Sequence, residues 1–230
     1  MVDKWHEIWN KRNLVFQSEI VLNDLLALDG FDSGAGKINL SDWKDYTRKI
    51  VQKLNIQRGN TLFEVGCGSG ALLFALKECL DITVGGNDYS TGLIKTAKLV
   101  FPDSDIRCLE ARDIELNPKY DFVVSNSVFQ YFELEYARAV LLKMIAKANK
   151  AVCMLDIPDI KTKILSEKFR QEVLPLDEYK VKYEGLNHTY YNKYWFEEVA
   201  SSVGLKLEFF DGFVPNYSQN EFRFGCLICK

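Results

Sequence analysis

Only two histidines, His6 and His188, occur in 230 residues, so imidazole chemistry has few places to reside. A net charge of −3 leaves no basic field to gather a nucleic acid or an anionic membrane. No apolar run is long enough to span a bilayer, and no basic-then-apolar leader opens the chain. A cytoplasmic protein with no nucleic-acid or membrane partner is the expectation. Internal repeats and long low-complexity stretches are also missing. The six cysteines are scattered through expected strands and helices, which suits reduced, partly buried thiols. Cys226 and Cys229 do form a C-x-x-C, but residues three apart on a strand point to opposite faces. With no second Cys/His pair nearby, no metal site is expected.

What the chain does have is a 47% hydrophobic share, enough for one α/β domain with an extra cap. Its centre is Thr61-Leu-Phe-Glu-Val-Gly-Cys-Gly-Ser-Gly-Ala-Leu-Leu73: a short apolar strand, a glycine-dense turn and the start of an apolar helix. Gly66, Gly68 and Gly70 let the backbone bend sharply and approach a ligand closely. The helix that follows directs its unpaired N–H groups and positive dipole end into the turn. The glycines run G-x-G-x-G, whereas the dinucleotide fingerprint is G-x-G-x-x-G. Glu64 lies just before the turn, where a carboxylate suits an ammonium group better than a pyrophosphate. The segment E-V-G-C-G-S-G resembles motif I of the class I S-adenosylmethionine-dependent methyltransferases.

The rest of the chain supplies the expected distances. Residues 3–28 carry Trp5, Ile8, Trp9, Val15, Phe16 and Ile20 at helical spacing, and a turn-rich break follows at 29–36. Ser41 is placed to cap a helix over 42–54 that bears Trp43, Tyr46 and Ile50 on one face. Strands are expected at 82–87, 105–109, 120–125 and 151–155, alternating with helices at 71–80, 91–100 and 133–148. Asp88 ends the second strand about 20 residues beyond the glycines, where a nucleoside-binding fold places its ribose acid. A helix at 161–172 opens an irregular insertion over about 159–191, and another helix spans 194–203. Strands at 205–210 and 222–229 flank a loop too short for a crossover helix, so they should pair antiparallel. Glu64, Asp88, Asp113, Asn126 and Asp156 would then share the carboxyl edge of the sheet, where such folds bind ligands.

The resemblance implies a doubly wound, Rossmann-like seven-stranded sheet, mostly parallel with an antiparallel last strand. Residues 1–55 would form an N-terminal helical cap or lid, and residues 56–230 the catalytic domain. It implies S-adenosyl-L-methionine as cofactor. Glu64, Gly66, Cys67, Gly68 and Gly70 would hold its amino-acid end, and Asp88, with Tyr89 and Ser90, its ribose. Ala111, Arg112 and Asp113 would hold the adenine; Asn126, Ser127 and Val128 would meet the methionine end, with Tyr46 as a further contact. The D/N-P-P-Y/F motif of amide and nucleobase N-methyltransferases is absent after the fourth strand, and Gln130 stands where many relatives carry His. His188, in N-H-T-Y-Y, is the candidate base for a hydroxyl acceptor, with Tyr131 and Asp156 as further acceptor contacts; His6 has no comparable surroundings. The W-x-x-x-W-N-K-R and H-T-Y-Y segments resemble methyltransferases of surface-polysaccharide and secondary-metabolite pathways, which implies a sugar or small-metabolite hydroxyl as acceptor. The alternatives are a non-catalytic cofactor-binding module and an NAD(P)-dependent oxidoreductase. The acceptor's identity and the oligomeric state are open at this level.

Overall fold

Strands that read as unbroken apolar runs form the middle of the sheet. In the computed structural model, which describes residues 4–13, 19–172, 177 and 186–230, β1 (Thr61–Val65) pairs in parallel with the strand at Tyr120–Asn126. Apart from Thr61 and Asp121 every residue of these two strands is buried, so neither needs a polar face. In chain order the others are β2 (Thr83–Asp88), β3 (Asp105–Cys108), β4 (Tyr120–Asn126, the partner of β1), β5 (Ala148–Pro158), β6 (Leu207–Asp211) and β7 (Arg223–Cys229). The sheet order is β3-β2-β1-β4-β5-β7-β6. The first five strands are parallel, and β7 runs antiparallel between β5 and β6, as the short 212–222 connection requires.

Helices cover both faces. They are α1 (Lys4–Asn10), α2 (Leu22–Leu28), α3 (Leu40–Lys53), α4 (Ala71–Cys79), α5 (Thr91–Val100), α6 (Leu134–Lys147), α7 (Lys163–Glu172) and α8 (Lys193–Ser201). Leu62, Val84 and Val124 face one core with Trp43 and Ile50 of α3, Leu72 and Leu76 of α4 and Ile94 of α5. Phe63, Val65 and Val123 face the other, against Leu141 and Met144 of α6 and Phe196 of α8. The period-two alternation along β1 and β4 thus sorts side chains between two helical layers. No described helix is long and apolar enough to cross a membrane.

Three local expectations change. α3 starts at Leu40, so Asn39 occupies the N-cap and Ser41 lies inside the helix. The 151–155 strand extends to Pro158, with a register shift against β7 between Met154 and Ile157. Asp156 sits in that bulge with φ 57, and bulges of this kind re-aim side chains beside functional sites. Val15 and Phe16, and positions 173–176 and 178–185 of the insertion, lie outside the described residues.

Candidate active site

The carboxyl ends of β1, β2, β4 and β5 open into a cavity of about 460 Å³. Gly66 and Gly68 form part of its wall with left-handed backbones, φ 75 and 55. A Cβ on Gly66 would lie 2.5 Å from the Val128 side chain, and one on Gly68 2.4 Å from Asp29 Oδ1. Close contact and backbone conformation therefore both demand glycine here. Gly70, φ 95, packs on Phe101 behind the cavity and opens α4. Asp88 braces the turn: its two oxygens accept from the Gly68 N–H at 3.1 Å and the Ser90 N–H at 2.8 Å. Ser90 caps α5, accepting from the Leu93 N–H, and donates to the Trp9 carbonyl.

Asp29 comes from the turn after α2, a position whose sequence suggests only a break. Its carboxylate accepts from the Ser69 N–H at 2.7 Å and the Ala71 N–H at 3.2 Å, so it occupies the amide groups at the start of α4. Asp29, Glu64 and Asp88 therefore gather three acids at one end of the cavity. Burial pushes the Asp29 carboxyl up to about 7 and that of Asp88 up to about 6, and it raises Glu64 well above the usual carboxylate range. A cationic ligand group would relieve this crowding.

These shifts set the sign of a pH effect. The folded state holds protons on Asp29 and Glu64 that the unfolded chain releases, so stability falls as pH rises through about 7. His188 acts oppositely, but only below its ordinary value near 6.5. The ligand-free protein is expected to lose about 1 kcal/mol between pH 6.5 and 8, roughly 2–4 °C in Tm. Thermal melts at the two pH values check this, and equal or reversed stabilities would contradict it.

The N-terminal helix closes one side of the cavity. His6 stacks on Tyr89 at 3.9 Å and its Nε2 lies 3.2 Å from Glu110, surroundings that its sequence position does not disclose. Glu110 also accepts from the Tyr136 hydroxyl at 3.0 Å. Glu110 and Ala111 line the cavity, whereas Arg112 and Asp113 are exposed and do not. The acid of this loop that faces the cavity is thus Glu110, and the predicted Asp113 does not reach it. Arg12 reaches across to the Ala27 and Leu28 carbonyls, its guanidinium over the Trp9 ring at 4.5 Å.

At the far end, Asn126 accepts from the Tyr46 hydroxyl at 2.8 Å, so Tyr46 supports the wall from behind without lining it. Ser127 adopts φ 57 and donates to Asp156 Oδ2 at 2.7 Å. Arg223, 6% exposed, donates to Gln130 Oε1, to the Asp156 carbonyl at 3.3 Å and to Gln219 Oε1 at 3.1 Å. Its Nη1 lies 3.8 Å from Asp156 Oδ2. Burial pushes the Tyr131 phenol up to about 12, and its ring meets those of Trp5, Trp9 and His188 edge-on.

His188 stacks on Trp5 at 5.2 Å, and its Nδ1 lies 3.0 Å from Arg170 Nη1. A guanidinium only donates, so Nδ1 must accept and the ring proton resides on Nε2. Burial, with the charges of Arg170 and Arg223, holds the imidazole well below its usual pKa. His188 is therefore a neutral imidazole with its one ring hydrogen on a buried, unpartnered Nε2, which runs against the proton-accepting role expected from the sequence.

Among the described residues, five buried side-chain polar atoms have no hydrogen-bond partner: Trp9 Nε1, Glu64 Oε2, Asn87 Oδ1, His188 Nε2 and Arg223 Nε. All five belong to residues of the cavity wall. Buried polar atoms are nearly always paired, so their concentration here marks a site shaped for a polar ligand. Of the residues predicted for the site, Glu64, Gly66, Cys67, Gly68, Asp88, Tyr89, Ala111, Asn126, Ser127, Val128, Tyr131, Asp156 and His188 line it. Tyr46, Gly70, Ser90, Arg112 and Asp113 do not.

Residues 63–152 match the family model described as a methyltransferase domain. That match takes in the glycine turn and runs from β1 into β5, the part of the chain that brings the carboxyl ends of β1, β2 and β4 to the cavity. The seven-stranded architecture is shared by solved structures of methyltransferases. DesVI of Streptomyces venezuelae superposes with TM-score 0.63 at 15% identity, covering 91% of this chain and 98% of that one. Magnesium protoporphyrin IX methyltransferase of Synechocystis, solved with S-adenosylhomocysteine bound, gives TM-score 0.59 at 15% identity, covering 86% and 89%. In sequence, the malonyl-[acyl-carrier protein] O-methyltransferase of Acetivibrio thermocellus is 38% identical over 74 residues, 31% of this chain. The chain spans about a quarter, 26%, of that relative's length in the match.

The residues present fit the cofactor. The unpartnered Glu64 carboxylate suits its ammonium group, and Asp88 retains acceptor capacity for ribose hydroxyls beyond its two backbone bonds. Asp29, Arg12, Glu110, Arg223 and Gln219 are wall residues that sequence reasoning did not single out. Only Arg223 left a trace, as a lone charge within the apolar F-R-F-G-C-L-I-C run, where a buried cation needs a partner.

Proposed function

We propose that this domain methylates an oxygen atom of a small polar acceptor bound between the ends of β4 and β5 and helix α1. The cluster of five unpartnered polar atoms around one cavity is the observation that carries this reading. Glu64 and the glycine turn bind the amino-acid end of S-adenosylmethionine, Asp88 its ribose, and Glu110 with Ala111 the adenine side. Asn126, Ser127 and Val128 meet the methionine end. When bound, the cofactor supplies a methyl group activated on a sulfonium centre. What the protein must then do is align the acceptor and keep water out. The Trp5–Trp9–Tyr131 cluster serves the second need, with α1 as the closing element of the cap formed by residues 1–55.

An oxygen acceptor agrees with the name of the malonyl-[acyl-carrier protein] O-methyltransferase relative. A sugar or small-metabolite hydroxyl is the second reading, supported by the W-x-x-x-W-N-K-R and H-T-Y-Y segments; it needs a base other than His188. A non-catalytic binding role is separated from both by turnover alone.

The first experiment is calorimetric titration of the purified protein with S-adenosylhomocysteine, with NAD as control. Micromolar affinity for the first and none for the second is the expected result. No binding of S-adenosylhomocysteine, or a preference for NAD, would overturn the reading.

A further inference from the structure

A methyl acceptor must present its oxygen as a nucleophile, and a hydroxyl requires somewhere for its proton to go. The acceptor end of the cavity offers little for that. His188 Nδ1 is occupied by Arg170, leaving Nε2–H facing outward from the ring. Asp156 Oδ2 accepts from Ser127 and lies 3.8 Å from Arg223, so protonating it would leave a buried guanidinium uncompensated. Tyr131 and Tyr217 are phenols whose burial keeps them protonated at neutral pH. Gln130 and Gln219 are amides already engaged with Arg223.

What this end does offer is donors. His188 Nε2–H and Arg223 Nε–H are both buried and both without a partner. Each belongs to a wall residue, and Arg223 is more than nine-tenths buried. Two such donors ask for acceptor oxygens, and an amine would set its own hydrogens or its charge against them.

We propose that the methyl acceptor is a carboxylic acid, held as its carboxylate by His188 Nε2–H and the Arg223 guanidinium. The inference rests on the methyl-transfer reading above. In the reaction one carboxylate oxygen forms a bond to the methyl carbon as the carbon–sulfur bond breaks, and that bond's electron pair stays on sulfur. The products are a neutral methyl ester and the thioether S-adenosylhomocysteine. No acceptor proton is released, so no base is needed. His188 is then a positioning residue whose fixed tautomer, set by Arg170, selects an anionic oxygen.

The test uses protein saturated with S-adenosylhomocysteine and titrated with matched probes: benzoate, benzyl alcohol and benzylamine, then hexanoate, 1-hexanol and hexylamine. The carboxylates are expected to bind at least about tenfold more tightly than their partners, the scale of a hydrogen bond to a charged group. His188→Phe, which keeps the stack on Trp5, should remove about tenfold of that affinity, whereas His188→Gln, which returns an N–H, should recover most of it. In parallel, methyl-tritiated S-adenosylmethionine should label the carboxylate probes in a form that alkali releases as methanol, as esters but not ethers or methylamines do. Alcohols or amines that bind as well as the acids, or a His188→Phe variant with undiminished carboxylate affinity, would overturn the inference. Failure of S-adenosylhomocysteine itself to bind would instead remove the methyl-transfer reading, so the two failures are distinguishable.

Discussion

Asp88→Ala is expected to weaken S-adenosylhomocysteine binding by about a hundredfold, because the proposed ribose contact loses two charge-assisted hydrogen bonds at once. The effect is compounded by the turn, since the same carboxylate holds the Gly68 and Ser90 N–H groups at 3.1 and 2.8 Å. Asp88→Asn keeps one acceptor oxygen and should fall between wild type and alanine. The carboxyl of Asp88 is pushed up to about 6 by burial, so wild-type affinity should also decline as pH drops below 6 and the acceptor becomes protonated. Calorimetric titration of wild type and both variants at pH 7.5 and 5.5 checks the set. An alanine variant within threefold of wild type would show that Asp88 does not hold the ribose.

Arg223→Met is expected to destabilise the fold by about 3 kcal/mol, measured by denaturant unfolding. Removing one member of a buried ion pair leaves the other desolvated and unpaired, typically a loss of ~3–5 kcal/mol. Here the stranded group is Asp156, itself in a left-handed backbone conformation inside the β5 bulge. Gln130 and Gln219 would lose their donor as well. The double variant Arg223→Met, Asp156→Leu should regain much of the loss, because both charges leave together. A single variant costing under about 1 kcal/mol, or a double variant no better than the single, would show that the pair is not coupled as the geometry requires.

These two predictions draw on different levels of information. The role of Asp88 follows from its distance beyond the glycine turn, and a local pattern is enough to propose it. Arg223 looks, in sequence, like a stray charge in an apolar strand; its partners Gln130 and Asp156 lie 93 and 67 residues away.

The same division runs through the molecule. The alternation of strands and helices, the buried central strands, the antiparallel final pair and the glycine turn are dictated by short-range rules. Period two or 3.6 in apolar residues decides which face is buried, and a glycine tolerates a positive φ wherever it stands. Those features the sequence determined by itself, together with the acids Glu64, Asp88 and Asp156 at the carboxyl edge. Tertiary structure decided what depends on approach through space: that Asp29 closes the start of α4 across 40 residues, that Glu110 rather than Asp113 faces the cavity, and that His6 meets Tyr89. It also decided which nitrogen of His188 carries the proton, because that is set by the Arg170 guanidinium at 3.0 Å rather than by any property of the histidine's own neighbours in the chain.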